Sequence, residues 1–135
     1  MIYLLDSTMV SDWMREHPSV EAHLARLSTA DRAVVCTIVR GEILYGIHRL
    51  PLGKRRERLE ERAAKAFVQL HRESVPKAAA DVYARIRIEQ ERKGLALDMN
   101  DLWIAATTLA LGAALVTRDS DFWRIDGLAV EDWSR

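Results

Sequence analysis

The chain has 135 residues, of which 49% are hydrophobic and 30% charged, a composition that excludes a disordered or fibrous protein. Twenty basic and twenty acidic residues cancel, so the net charge by itself indicates no partner. The single cysteine, Cys36, excludes a disulfide framework and a multi-cysteine zinc site, and it favours a reducing compartment. The length predicts one domain, residues 1–135, with an ordinary hydrophobic core.

The N-terminus reads MIYLLDSTMV, with no basic head and, after Met1, an apolar run of only four residues before Asp6. Signal peptides and membrane anchors need longer apolar stretches. No other segment approaches the roughly 20 apolar residues of a membrane span. We therefore expect a cytoplasmic protein with no membrane partner.

The first half of the chain alternates short apolar runs with segments of helical spacing. The predicted strands of this half are 2–5 and 33–36. The predicted helices are 8–16, 19–27, 38–50 and 54–71. Ser19 is expected to cap the second helix, and Pro51 with Gly53 separates the last two.

The second half continues the alternation. The predicted strands are 74–75, 113–117 and 128–130. The predicted helices are 77–93 and 100–111, which end at Gly94 and Gly112, and Pro76 suits the first position of the helix that follows it. Short apolar strands that alternate with helices predict an α/β fold of three layers, with a parallel sheet of about five strands between helices.

Acidic residues stand where several of these strands end. Asp6 follows the first strand, and Glu42 lies one turn into the helix after the second. Asp101 opens the helix before the fourth strand, and Asp119 follows that strand. The nearest additional acids are Asp98 and Asp121. Functional groups of open α/β sheets gather at the carboxyl ends of the strands, so these side chains are expected to meet.

Converging carboxylates repel one another unless a cation neutralises them. Ligation by oxygen alone suits Mg²⁺ or Mn²⁺ rather than zinc. Each acid also has a structural interpretation: Asp6 as a helix cap, Asp101 as a favourable charge at a helix start, and Glu42 as a solvent-facing side chain. The expected position of all these acids at one edge of one sheet favours a functional site over separate structural roles.

The neutral total hides an uneven distribution of charge. Residues 40–72 carry nine basic and four acidic residues, whereas 94–135 carry three basic and seven acidic residues. The basic block consists of Lys54, Arg55, Arg56, Arg58 and Arg62. Two interpretations stay open: a solvated helix face with internal ion pairs, or a surface that contacts phosphates.

Four segments in this order resemble PIN-domain ribonucleases of the VapC type, the toxic half of bacterial toxin–antitoxin pairs. They are YLLDST (Tyr3–Thr8), VRGEILYGI (Val39–Ile47), NDLWIAATTLALGAALVTRDSDF (Asn100–Phe122) and GLAVEDW (Gly127–Trp133). A haloacid-dehalogenase-like phosphatase would need a second Asp where Thr8 stands, and a receiver domain would need an Asp after the third strand.

The resemblance implies roles for particular residues. Four acids would be catalytic, namely Asp6, Glu42, Asp101 and Asp119, and the first, third and fourth would hold the metal. Supporting positions would be Thr8, Thr117, Asp98 and Asp121. Candidate phosphate contacts are Arg118, Arg55, Arg56 and Arg58. Position 8 is often Asn or Ser in relatives, Asp98 stands where an uncharged residue is usual, and Asp119 and Asp121 compete for the place of the fourth acid.

The resemblance also implies an activity and partners. The expected activity is Mg²⁺- or Mn²⁺-dependent endoribonuclease cleavage of structured RNA, with tRNA as the expected target, which inhibits translation. The expected partners are a cognate antitoxin and a second copy of the chain, with a higher toxin–antitoxin assembly as an extension. The alternative is a catalytically inactive PIN scaffold that binds an antitoxin or RNA.

Overall fold

The computed structural model describes residues 1–135 and contains five strands and six α-helices. The strands are β1 (Ile2–Leu5), β2 (Arg32–Cys36), β3 (His71–Glu73), β4 (Ala114–Val116) and β5 (Val130–Glu131). The helices are α1 (Ser7–Met14), α2 (Pro18–Ala25), α3 (Thr37–His48), α4 (Lys54–Gln69), α5 (Ala78–Arg92) and α6 (Met99–Ala110). A short 3-10 helix, Ser120–Arg124, follows β4.

The strands form one parallel sheet in the order β3-β2-β1-β4-β5, which confirms the predicted fold class. The chain runs outward from β1 to β3 and then returns to place β4 and β5 on the other side of β1. Parallel connections are right-handed, so reversing the direction of travel puts the helices of the two halves on opposite faces. Accordingly, α1 packs against α2, α3 and α4, while α5 packs chiefly against α6.

The central strands are apolar on both faces because helices cover both sides of the sheet. The pairs Leu4–Leu5, Val34–Val35 and Leu115–Val116 are all buried. Together with residues from every helix they belong to one hydrophobic core. None of the helices is long and apolar enough to span a bilayer.

The third strand differs from the prediction. It occupies His71–Glu73 rather than 74–75, and α4 therefore ends at Gln69 instead of continuing to 71. The strand pairs only with β2, and its side chains are polar and largely exposed. An edge strand made of His, Arg and Glu has no apolar run, so hydrophobic periodicity could not locate it.

Two helix starts were also wrong in detail. Ser19 does not cap α2, because Pro18 occupies the first turn and His17 precedes it without a side-chain hydrogen bond. Pro76 is not the first residue of α5, which begins at Ala78. The 3-10 helix after β4 was not predicted, and the last strand is Val130–Glu131 rather than 128–130. The remaining boundaries agree with the predictions within about two residues.

Candidate active site

The strand order reverses between β1 and β4, and ligands of open α/β sheets bind at the carboxyl ends of strands next to such a reversal. Asp6 follows β1 directly, and Thr117 follows β4 directly. Asp101 lies in the first turn of α6, and Glu42 lies in α3. Asp6, Glu42, Asp101 and Asp119 are called the acidic cluster below.

Asp6 has two roles in the structure. It is the N-cap of α1, where its Oδ1 accepts hydrogen bonds from the backbone N–H of Met9 at 2.9 Å and from Thr8 Oγ1 at 2.8 Å. Its Oδ2 accepts a hydrogen bond from Thr117 Oγ1 at 2.5 Å. Burial raises the pKa of Asp6, the hydrogen bonds from Thr117, Met9 and Thr8 oppose that rise, and the charge of Asp119 adds to it. The capping interpretation of Asp6 is therefore confirmed, and the same carboxylate also accepts hydrogen bonds from Thr8 and Thr117.

Thr117 connects the first acid with the fourth. Its hydroxyl donates to Asp6 and accepts from the backbone N–H of Asp119 at 3.0 Å. The carboxylate of Asp119 in turn accepts from the backbone N–H of Asp121 at 2.9 Å, which caps the 3-10 helix. The fully buried Thr117 thus fixes the spacing between β1 and the segment that carries Asp119.

Glu42 is held by a residue that the sequence analysis did not select. Ser7, the first residue of α1, donates a hydrogen bond from Oγ to Glu42 Oε1 at 2.5 Å. The two residues are 35 positions apart, and they meet because α1 packs against α3. The only signal in the sequence was a hydroxyl residue beside Asp6, a common feature of helix starts.

The ionisation of Asp101 is opposed by its surroundings. Its pKa is raised to about 7, first by burial and then by the charges of Asp98, Glu42, Asp119 and Asp6. None of these influences is a hydrogen bond. The other three acids of the cluster therefore lie close enough to Asp101 for their charges to act on it.

The donor set fits a hard divalent cation held partly through water. It consists of carboxylate and hydroxyl oxygens, and the excess negative charge around Asp101 calls for a cation. No three His, Cys, Asp or Glu side chains stand close enough together to hold one ion directly. Mg²⁺ commonly keeps several of its waters and binds one or two carboxylates, so this spacing is compatible with it.

The two additional acids differ in their relation to the cluster. Asp98 is exposed, yet its charge acts on Asp101. Asp121 is exposed, and the charges with the largest effect on Asp6 and Asp101 include Asp119 but not Asp121. We therefore propose Asp119 rather than Asp121 as the fourth acid.

The predicted phosphate contacts lie in two places. Arg118 stands beside the cluster but forms an ion pair with Asp12 at 2.7 Å. Arg55 and Arg58 are exposed on α4, which packs against α1 and α3. Arg56 instead pairs with Glu60 at 2.7 Å within the helix. The basic block therefore combines one internal ion pair with arginines that are free to contact a ligand.

A groove leads from the cluster toward α4. Ser7, Ser11, Glu42 and Arg15 line its polar part, and the apolar part consists of Met14, Ile43, Ile47 and Leu59. Because Glu42 belongs to both the cluster and the groove, a molecule lying in this groove would reach the carboxylates.

Comparisons with known proteins concern the family and the overall fold of the chain. The model of the PIN domain family matches residues 3–128. The chain is 31% identical to Ribonuclease VapC2 of Rickettsia felis over 140 aligned positions, with 100% of both chains covered. It is 28% identical to Ribonuclease VapC1 of Haemophilus influenzae, again with 100% of both covered. The crystal structure of VapBC2 from Rickettsia felis bound to a promoter DNA fragment matches with a TM-score of 0.90 and 30% identity, over 98% of this chain and 99% of that one.

Proposed function

The chain belongs to the PIN-domain family, among its VapC-type members, and from that premise we propose that it is a divalent-metal-dependent endoribonuclease and the toxin of a toxin–antitoxin pair. The observation that carries the proposal is the acidic cluster at the β1/β4 reversal, where four carboxylates from distant parts of the chain act on one another. Relatives that span the whole chain and are named ribonucleases support the same activity.

In this proposal three acids of the cluster bind the metal, and the fourth positions the attacking water. Asp6, Asp101 and Asp119 would hold the cation, no more than two of them directly and the rest through water, while Thr8 and Thr117 fix the carboxylate of Asp6. A bound Mg²⁺ or Mn²⁺ would supply a Lewis acid that lowers the pKa of water and offsets charge on the phosphate. Glu42, oriented by Ser7, positions the attacking water. Water attacks phosphorus and the 3′ oxygen leaves, which gives a 5′-phosphate and a 3′-hydroxyl.

The test is cleavage by the purified protein. RNA incubated with Mg²⁺ or Mn²⁺ should be cut, and EDTA should stop the reaction. An Asp101→Asn preparation made in parallel controls for contaminating nucleases, because the substitution removes one ligand charge and keeps the side-chain size. Undiminished cutting in EDTA contradicts the metal mechanism, and no cutting under any condition favours the inactive scaffold.

The proposed substrate is a structured RNA, with tRNA as the leading target in the cytoplasm. The acidic cluster suits one backbone phosphate, and RNA that presents unstacked bases in a loop allows selection by shape. Sequencing of RNA 5′ ends after brief expression tests this choice. Cuts confined to a loop of one or a few RNAs support it, whereas scattered cuts across messenger RNA contradict it.

The proposed protein partner is an antitoxin, as the names of VapBC relatives suggest. The groove between Ser7 and Leu59 offers apolar surface beside the acidic cluster. A Lys or Arg of the partner placed among the carboxylates would compete with the metal and remain paired. We also propose a homodimer that joins a larger complex with the antitoxin. Light scattering of the chain alone and with its partner measures both assemblies.

A further inference from the structure

Asp12 is a charged residue in an unusual place. It lies in the second turn of α1, and only 4% of its surface is exposed. Its Oδ2 accepts a hydrogen bond from Arg118 Nη1 at 2.7 Å, and its Oδ1 accepts one from Arg15 Nη2 at 3.3 Å. Burying a carboxylate is unfavourable unless it is paired, so these two arginines are what permit Asp12 to sit there.

Arg118 stands between two residues of the site. Thr117 bonds Asp6, and Asp119 belongs to the acidic cluster. The chain bends at Arg118 just after β4, and the Arg118 side chain reaches α1, where Asp12 accepts its hydrogen bond. Its guanidinium is therefore beside the carboxylates rather than among them.

The guanidinium of Arg118 is only partly used by the protein. Its side chain is 46% exposed, and Nη1 makes its only hydrogen bond, to Asp12. The Nε and Nη2 donors make no hydrogen bond within the chain, although the charge of the nearby Asp132 also acts on Arg118. The guanidinium group is planar and rigid, and its N–H donors are spaced to match the oxygens of a phosphate. The donors that Asp12 does not engage can therefore bind a phosphate.

We propose that Asp12 is a positioning residue, which holds Arg118 so that its free donors bind the RNA phosphate next to the one that is cut. The inference rests on the proposed ribonuclease function and adds a residue to it. Holding Arg118 before RNA arrives removes the need to immobilise a flexible side chain on binding. Because the contacted phosphate is not the reacting one, the interaction strengthens binding of substrate and transition state alike.

The positioning role and simple electrostatics predict opposite changes in RNA affinity for the variant Asp12→Asn. Asp12→Asn removes a negative charge beside the proposed phosphate contact, Arg118. Charge alone would therefore make the protein bind a polyanion more tightly. The positioning role predicts weaker binding instead, because Arg118 loses the partner that orients it. A purely structural role predicts a lower melting temperature with no change in RNA affinity of the folded protein.

The experiment measures binding of a short fluorescent single-stranded RNA by anisotropy, and in parallel its cleavage with Mn²⁺. Arg118→Gln should raise Kd and KM about tenfold, the loss expected for a charge-assisted contact, with kcat nearly unchanged. Asp12→Asn should raise both in the same direction. The double variant Asp12→Asn/Arg118→Gln should bind no more weakly than Arg118→Gln alone, since Asp12 acts only through Arg118.

Two controls make the result specific. Arg32→Gln removes an ion-paired arginine of similar exposure, 44%, that pairs with Glu73 at 2.9 Å in β3, and it should leave Kd unchanged. The double variant leaves no lone buried charge, so it remains informative if Arg118→Gln alone fails to fold.

The outcomes separate this inference from the proposed function. RNA binding that follows the pattern above without any cleavage overturns the ribonuclease and leaves the role of Asp12 standing. Normal cleavage with unchanged or tighter binding in Asp12→Asn overturns the positioning role alone. A wild-type protein that binds no RNA overturns both.

Discussion

Among the four acids of the cluster, Asp101 is the one without a hydrogen bond to offset its charge. Asp6 has Thr8, Met9 and Thr117, and Glu42 has Ser7. The pKa of Asp101 rises to about 7 because burial and four nearby carboxylates oppose its ionisation. In an unfolded chain the same group ionises near pH 4. The folded state thus holds the proton more tightly, and the free energy of unfolding falls as pH rises from about 4 to about 7.

This balance predicts that Asp101→Asn stabilises the metal-free protein. In EDTA at pH 8 its melting temperature should exceed that of the wild type by about 3 °C, the shift for roughly 1 kcal/mol in a domain of this size after solvent screening of a half-exposed group. The difference should shrink at pH 5, where the wild-type residue is largely protonated. Added Mn²⁺ should raise the wild-type melting temperature more than that of the variant. Asp121→Asn is the control and should change neither, and a variant that melts lower at pH 8 contradicts the argument.

The choice between Asp119 and Asp121 leads to a second prediction at this scale. Asp119→Asn should reduce kcat by more than the 10- to 100-fold that loss of an outer contact of a metal ligand usually costs. Asp121→Asn should stay within a few-fold of the wild type, because Asp121 contacts Asp119 through its backbone N–H, which the substitution keeps. Greater sensitivity of Asp121 would show that it is the fourth acid. Single-turnover cleavage measures both.

At the scale of the element, α4 shows how a charged helix can serve both packing and binding. It buries Ala63, Ala66 and Phe67 against the core, and its first turns expose Arg55 and Arg58 to solvent. Arg56 is different, since it is paired with Glu60 and also donates to the carbonyl oxygen of Leu50 at 3.4 Å. The two interpretations of the basic block from the sequence therefore apply to different residues of the same helix.

We predict that the arginines of α4 contribute unequally to RNA binding. Replacing Arg55, Arg56 and Arg58 together with Gln should weaken binding of a structured RNA and lower the slope of log K against log salt by about 0.7 for each lost contact. Arg55→Gln with Arg58→Gln should account for nearly the whole change. Cleavage of a short oligonucleotide should stay nearly the same. Replacing Arg85 and Arg92 of α5 with Gln removes two charges from the other helical layer, as many as the Arg55/Arg58 variant removes, and an equal loss of binding there would contradict a specific surface on α4.

At the scale of the whole molecule, the fold places a strongly acidic site next to an apolar groove in a protein of zero net charge. A partner protein can block such a site by placing a Lys or Arg side chain among the carboxylates and an apolar segment in the groove. We predict that expression of the chain alone arrests growth, and that co-expression of its proposed antitoxin restores growth. Growth curves with Asp101→Asn as the inactive control measure the effect. A complex that forms and still cleaves RNA at the full rate would contradict neutralisation at the active site.

The fold class followed from the amino-acid sequence alone, and so did the expectation that acids at the ends of separate strands would approach one another. Apolar runs such as Ile2–Leu5 and helical spacing specify elements locally, and parallel strands necessarily bring their carboxyl ends to one edge. Asp6 and Asp101 could therefore be expected to approach one another from their positions alone. Elements without an apolar pattern, above all the polar edge strand His71–Glu73, could not be located in this way.

Only the tertiary structure decided which side chains hold the site together. Ser7 meets Glu42 across 35 residues, Thr117 meets Asp6 across 111, and Arg118 meets Asp12 across 106. Such pairs depend on how far each helix is displaced and rotated against the sheet, and this is set by the packing of the whole core rather than by any local pattern. For the same reason the sequence offered Asp119 and Asp121 equally, whereas in the folded chain the charge of Asp119 is among those with the largest effect on Asp6 and Asp101.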